Sequence, residues 1–191
     1  MKWFHLLAVC LAALSFASCR TSATGPYSPS AESARDTSAA EKLNRKAAEF
    51  IDTDPSNAES LLREALTKDV FYGPAHNNLG VVFMSQGKLY EAANEFEWAR
   101  KLLPDSADPR VNLAITMERA GRTDDAFRSY LAALEVAPQS ISAKQGAAAI
   151  VVRDSREEPR LTSWLESISL RGEGPAWREW AQSKTRFRPQ N

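Results

Sequence analysis

The sequence predicts an all-α protein, a short α-solenoid of helix–turn–helix repeats, and three observations support this. A 34-residue period links residues 73–106 to residues 107–140. Glycines and prolines recur at the same intervals and separate segments that are long enough for helices. Small and large apolar side chains follow one another in the same order in both copies. Self-similarity at such a period is typical of a stack of helical units, each of which buries its apolar face against the next.

Each matched position in the repeat has a physical role. Small residues let two helices approach closely, and large residues fill the space between them. Gly87 and Gly121 follow a first helix, where a left-handed conformation is needed, and Pro104 and Pro138 stop a second helix from continuing. The shift of 34 residues superimposes the pairs Leu79 and Leu113, Gly80 and Ala114, Phe83 and Met117, Gly87 and Gly121, Ala92 and Ala126, Phe96 and Tyr130, Ala99 and Ala133, and Pro104 and Pro138.

The motif Asn78-Leu79-Gly80, with the glycines, alanines and prolines that follow it, resembles the tetratricopeptide family. The family's first-helix tryptophan position is His76 here. The resemblance implies about three to four units, in which the first helix of each unit lines a concave groove that binds a partner segment. By this resemblance the groove residues are Asn77, Asn78, Val81, Met84, Ser85, Val111, Asn112, Ile115, Glu118, Arg119, Lys144 and Gln145.

Weaker units flank the two clear repeats, so that the predicted solenoid covers residues 39–174. The degenerate first unit has a first helix at about 40–52, followed by a turn and helix start at Asp54-Pro55. A fourth first helix is predicted at about 140–153. Residues 175–191 are predicted to form a C-terminal capping helix and tail, because the end of a solenoid needs an atypical, partly polar outer face. The apolar residues of this cap are Trp177, Trp180 and Ala181.

The N-terminal segment is interpreted as an export signal. Residues 1–18 combine a positive start with an apolar run that is too short to cross a bilayer, which needs ~20 residues. Ala17, Ser18 and Cys19 resemble the bacterial lipoprotein cleavage box, and the resemblance implies that Cys19 carries a lipid. Ordinary cleavage after Ala17, which leaves a free thiol, is the alternative. Residues 19–38 are rich in Ser, Thr, Ala and Pro and form a tether of roughly 25 Å.

The charge balance and the motif content argue against several functional classes. Lysine plus arginine equals aspartate plus glutamate, 24 against 24, so no overall basic field recruits nucleic acid. The sequence contains no cysteine–histidine set for zinc and no glycine-rich phosphate loop. His76 lies at a helix-packing position without a matched nucleophile or base. The sequence therefore predicts no enzyme, no cofactor, no metal and no small-molecule substrate.

The predicted function is a protein-binding scaffold or adaptor in the cell envelope. Because no aspartate follows the lipidated cysteine, analogy with lipoproteins favours the outer membrane, with the domain facing the periplasm. Asn78 and Asn112 are equivalent positions, and their amides either grip the backbone of an extended peptide or are simply common there in the family.

The alternative function is a structural subunit that self-associates through its second helices and its terminal faces. Trp98 bears on this alternative, because it lies on a second helix where a polar residue is usual. Two interpretations of Trp98 stay open: an exposed interface anchor, or packing against the neighbouring repeat.

Overall fold

The computed structural model describes residues 35–186, which form nine α-helices joined by short turns. This range contains no strand. None of its helices is both long enough and apolar enough to cross a membrane. The helices are α1 (Thr37–Ala48), α2 (Pro55–Lys68), α3 (Gly73–Ser85), α4 (Leu89–Leu102), α5 (Asp108–Arg119), α6 (Thr123–Val136), α7 (Ile141–Arg153), α8 (Leu161–Arg171) and α9 (Gly174–Arg186).

The helices pack as consecutive pairs, which confirms the predicted all-α solenoid. Helix α1 packs most extensively on α2, α3 on α4, and α5 on α6. The first helices of neighbouring pairs also contact one another, α1 with α3, α3 with α5 and α5 with α7, whereas the second helices do not pack together to that extent. The stack therefore curves with the first helices on its inner, concave face and the second helices on its outer, convex face.

The 34-residue period holds throughout the second helices, since α2, α4 and α6 begin and end at positions 34 residues apart. The turns before α4 and α6 have the predicted left-handed glycines, Gly87 with φ +74° and Gly121 with φ +73°. The first unit has no such glycine. Its first helix ends at Ala48, earlier than the prediction of about residue 52, and begins at Thr37, earlier than residue 40. The early start follows from the Asp36 carboxylate, which accepts a hydrogen bond from the Ala39 amide at 2.9 Å.

The buried apolar side chains form two clusters along the stack. The N-terminal cluster is built from α1 to α4 with Leu113 of α5, and the C-terminal cluster is built from α5 to α9. Met117 is half-buried and packs against both. Close helix packing depends on small residues: a Cβ placed on Gly80 would lie 2.6 Å from the Phe96 ring.

Candidate functional site

Pairs of asparagine amides join neighbouring first helices in the N-terminal half of the molecule. The Asn78 amide donates a hydrogen bond to the Asn44 Oδ1 at 2.9 Å, which joins α3 to α1. The Asn112 amide donates to the Asn77 Oδ1 at 3.0 Å, which joins α5 to α3. These side chains therefore bond to one another between helices, which favours the packing role of Asn78 and Asn112 over a grip on a peptide.

Asn44 was not among the predicted residues, although it lies 34 positions before Asn78 and the period could have found it. Its side chain is buried between α1 and α3. The series Asn44, Asn78 and Asn112 thus occupies one repeated position in three consecutive units. Gly146 is the equivalent residue in the fourth unit.

The glycine at this fourth position changes the shape of the concave face. A Cβ on Gly146 would lie 2.1 Å from the Tyr130 Cζ, so the Tyr130 ring occupies the space that a side chain would need. The Tyr130 hydroxyl donates to the Glu118 carboxylate at 2.8 Å. Burial, together with the neighbouring Glu118 charge, raises the pKa of Tyr130, so the phenol keeps its proton and remains a donor.

A cavity opens beside this ring and adjoins a second one, with which it shares Ala149 and Trp177. Together they are called the C-terminal groove. The first cavity, of about 310 Å³, is lined by Val111, Ile115, Glu118, Tyr130, Ser142, Gln145, Gly146, Ala149, Glu173 and Trp177. The second, of about 520 Å³, is lined by Ala149, Val152, Arg153, Ala176, Trp177, Trp180 and Lys184.

Trp177 of α9 forms the wall between the two cavities, and its position is fixed by hydrogen bonding. In the amide orientation that places the Gln145 oxygen toward Trp177, this oxygen accepts hydrogen bonds from the Trp177 Nε1 at 3.1 Å and from the Glu173 backbone N–H at 3.3 Å. The Trp180 ring packs edge-on against Trp177, with the two ring centroids 5.4 Å apart. The indole pair is therefore a rigid apolar surface, as tryptophans often are at protein interfaces.

Charged side chains of both signs border the apolar floor of the C-terminal groove. The Glu118 carboxylate accepts from the Arg153 guanidinium at 3.5 Å, and the same guanidinium donates through Nε to Asp154 at 2.8 Å. Lys184 lies at the far end, in the second cavity. The groove can hold an apolar side chain on its floor and polar or charged groups at its edges.

The predicted groove residues divide into several environments. Val81 and Met84 pack against the N-terminal cluster. Ser85 is exposed and donates to a carbonyl of its own helix, and Arg119 donates to the Met84 carbonyl at 3.3 Å. The predicted residues that line the C-terminal groove are Val111, Ile115, Glu118 and Gln145.

Lys144 departs from the prediction, whereas Gln145 lines the groove but is almost fully covered. Lys144 is 7% exposed and donates to the Ser167 hydroxyl of α8 at 3.1 Å, so it is directed into its own helix pair rather than into the groove. Burial, with the Arg171 charge nearby, lowers the pKa of Lys144. Gln145 faces the groove but is only 2% exposed, because Trp177 and Glu173 lie over it. Sequence reasoning missed Trp177 as a groove residue, since the repeat pattern fades before α9.

His76 and Trp98 form a separate contact between α3 and α4. The buried His76 ring lies between the Glu95 carboxylate, with Nδ1 at 2.6 Å, and the Val70 carbonyl, with Nε2 at 2.8 Å. The Trp98 ring stacks on it, with centroids 5.8 Å apart, and is 45% exposed. This stacking lies within one helix pair and not against the neighbouring repeat, so it differs from the packing interpretation of Trp98. The Lys101 amine also lies over the Trp98 ring, 5.6 Å from its centroid, and the role of Trp98 as an interface anchor stays a prediction. The described residues contain no group of three or more His, Cys, Asp and Glu side chains that could hold a metal ion.

Solved structures of tetratricopeptide proteins are similar to this chain in fold. PilF of Pseudomonas aeruginosa is 17% identical, covers 82% of this chain and 79% of its own, and gives a TM-score of 0.66. The first TPR of Spaghetti (RPAP3), bound to an HSP90 peptide, is 14% identical, with 64% of this chain and 98% of that chain covered and a TM-score of 0.60. MamA is 18% identical over 77% of this chain and 78% of that chain, with a TM-score of 0.57.

No model of a known protein family matches the sequence, and no curated protein matches it either. The structural likenesses show the tetratricopeptide-type fold and nothing finer, because one fold serves many functions. The predicted export signal, the Cys19 lipid site and most of the predicted tether lie outside the described residues, as does the predicted tail from 187 to 191.

Proposed function

We propose that this protein is a non-enzymatic interaction scaffold that holds a segment of a partner protein in the C-terminal groove. The observation that carries the proposal is the placement of Trp177, which borders both cavities and is held by the buried Gln145. A fixed indole beside an apolar cavity is typical of the anchor residues that dominate binding energy at interfaces. The peptide-bound structure of RPAP3 supports the proposal, because it has the same fold.

The partner segment we expect is extended and mainly apolar, with polar or charged groups at its ends. The floor around Ala149 and Val152 accepts an apolar side chain, while Glu118, Arg153 and Lys184 offer both charges at the edges. Since burial of apolar area supplies most of the free energy of association, the side chain on Trp177 would contribute most. The charged edges would select partners and set their orientation.

Filling the groove tests this proposal without removing core packing. Ala149 borders both cavities, so Ala149→Leu occupies the space that a partner side chain needs. We expect envelope proteins captured by the wild-type chain to be lost with this variant. Ala48→Leu, on an exposed part of α1, is the matched control and should capture them as the wild type does. Equal capture by Ala149→Leu, with the fold intact by circular dichroism, would refute the groove assignment.

The second part of the proposal places the scaffold at the outer membrane through a lipid on Cys19, facing the periplasm. It rests on the lipoprotein-type sequence around Cys19 and on the Ser-, Thr- and Pro-rich segment that follows. A diacylated N-terminal cysteine would hold the protein on the bilayer, since stable anchoring takes more than one acyl chain. Cell fractionation tests it: the Cys19→Ala protein should leave the membrane fraction, and a variant that stays there would contradict the lipid anchor.

Self-association is the competing function, and the partial exposure of Trp98 on a second helix favours it. Light scattering across a concentration series separates the two. We expect a monomer, in both the wild type and Trp98→Ala. A dimer in the wild type that becomes a monomer in Trp98→Ala would instead support the self-associating subunit.

A further inference from the structure

A second groove lies on the convex side, between α4 and α6, with α5 at its base and a volume of about 290 Å³. Its lining is unusually rich in arginine for a chain whose total charges balance. The charged residues around it are Arg100, Arg110, Arg122, Arg128, Glu97 and Asp125. It is called the arginine groove below, and it shares no lining residue with the C-terminal groove.

The two carboxylates in the arginine groove do not balance its four guanidinium groups. Glu97 accepts from Arg100, with the shortest N···O distance 2.6 Å. Asp125 accepts from both Arg122 and Arg128, so its single negative charge faces two positive charges. The groove therefore has a local excess of two positive charges, although lysine plus arginine equals aspartate plus glutamate, 24 against 24, in the whole chain.

Arg110 is held in place by neutral partners. Its Nη1 donates to the Ser106 carbonyl at 2.7 Å and to the Leu103 carbonyl at 3.4 Å. These contacts fix the guanidinium group at the edge of the groove without neutralising its charge. A guanidinium whose orientation is already fixed loses little conformational freedom when it binds a carboxylate in the two-point manner that its planar shape allows.

The base of the arginine groove is apolar. Leu113 is buried there, and Met117 is half-buried beside it. Methionine adapts its shape to different apolar side chains because its chain is unbranched and flexible. Positive charges at the edge and an aliphatic base together match a segment that presents carboxylates on either side of an aliphatic side chain.

We infer that the arginine groove is a second docking surface, which binds an acidic segment of a protein. Charge complementarity selects this occupant, because clusters of arginine are a recurring means of binding acidic motifs. A nucleic acid fits less well, since the chain as a whole has no basic field and the groove is short. Because the two grooves lie on opposite faces, the scaffold could hold two partners at once.

Fluorescence anisotropy with defined peptides tests the inference on the full chain. The probe is labelled Gly-Glu-Asp-Leu-Glu-Asp-Gly, and the comparison peptides replace its acids by their amides or its leucine by alanine. We expect saturable binding of the probe and weaker binding of both comparison peptides. Binding should be lost in about 0.5 M salt, because already at ~0.15 M salt the interaction between exposed charges is screened beyond about 8 Å. No binding of the probe at millimolar concentration, or equal binding of the amide peptide, would overturn the inference.

The variants locate the site. Arg100→Gln with Arg128→Gln removes two exposed groove charges and leaves Arg110 and the apolar base in place. We expect about a tenfold loss of affinity, the size of effect typical of charge pairs at interfaces. Arg45→Gln with Arg171→Gln, also exposed but distant, is the charge-matched control and should bind as the wild type does.

Two further outcomes bear on the inference. An equal loss in the control pair would show a general charge effect and overturn the assignment to this groove. Displacement of the probe by inorganic phosphate at constant ionic strength, as effectively as by unlabelled peptide, would show a simple anion site and overturn the docking of a segment.

Discussion

The two halves of the concave face differ at one repeated position. In the N-terminal half this position holds Asn44, Asn78 and Asn112, whose amides bond between neighbouring first helices. In the fourth unit it holds Gly146, and the Tyr130 ring fills the space beside it. Amide pairing joins the helices of the first half, whereas in the second half a cavity opens beside the Tyr130 ring and next to Trp177. A single repeat geometry therefore yields a surface of paired amides in one half and a groove in the other.

The largest expected effect concerns Gly146. Its Cβ would lie 2.1 Å from the buried Tyr130 ring, so Gly146→Ala should lower the free energy of unfolding by about 3 kcal/mol, the upper end for overpacking. Displacing Tyr130 should also disturb the C-terminal groove and reduce partner capture. Urea unfolding and the capture assay measure the two effects.

Gly80→Ala is the control in the N-terminal half. Its Cβ would meet the Phe96 ring at 2.6 Å, so a similar loss of stability is expected, with partner capture unchanged under conditions where the protein is folded. Equal loss of partner capture in Gly146→Ala and Gly80→Ala would contradict the assignment of partner binding to the C-terminal half.

An intermediate effect is expected at Asp69, which secures the first unit of the N-terminal half. The buried carboxylate accepts from Arg35, Thr37 and the Phe71 amide. Burial alone would raise the pKa of Asp69, but the hydrogen bonds from Arg35 and Thr37 outweigh it and lower the pKa below its usual value. Asp69→Asn should therefore cost about 2 kcal/mol at pH 7, since hydrogen bonds to a charged group are lost.

The sign of this pKa shift fixes the pH dependence. A lowered pKa in the folded state stabilises the protein at pH values above the unfolded value of about 4, and this contribution disappears as the pH falls through the folded pKa. The wild type and Asp69→Asn should therefore differ most at pH 7 and converge toward pH 2 in thermal unfolding scans. A difference that stays constant from pH 7 to pH 2 would show that the Asp69 charge is unimportant.

The smallest expected effect concerns the amide pairs. Asn78→Ala leaves the buried Asn44 amide without its partner and should cost about 1 kcal/mol of unfolding free energy. The double variant with Asn44→Ala should lose less than the sum of the two single variants, because both remove the same bond. Partner capture should stay unchanged, and a clear loss of capture would restore the peptide-gripping role that the sequence left open.

The sequence predicts the fold well because each position of the repeat specifies a helix, a turn or a packing contact. Gly87 and Gly121 mark the turns, and the period places α2, α4 and α6 in register. Val111, Ile115 and Glu118 line the C-terminal groove, and their contact with a partner stays a prediction. These positions depend on local helix geometry, which a periodic pattern specifies directly.

The rest of the groove depends on contacts that no period encodes. Lys144 bonds to Ser167, and Gln145 lies beneath Trp177, because α8 and α9 follow a sequence that departs from the repeat. The Tyr130 ring, which belongs to the preceding unit, occupies the space that a side chain on Gly146 would fill. Such tertiary packing is visible only once the helices have been placed.

If the preceding segment tethers the domain, as proposed above, the pairing of Arg35 with Asp69 has a mechanical consequence. Arg35 is the first described residue, its guanidinium bonds to Asp69 at the end of α2, and the neighbouring Asp36 amide donates to the Lys68 carbonyl at 3.0 Å. A pulling force applied through the preceding chain would therefore be shared with α2 rather than borne by the first turn of α1 alone. The domain should resist being unravelled from its N-terminal end, and the load would pass into the body of the solenoid.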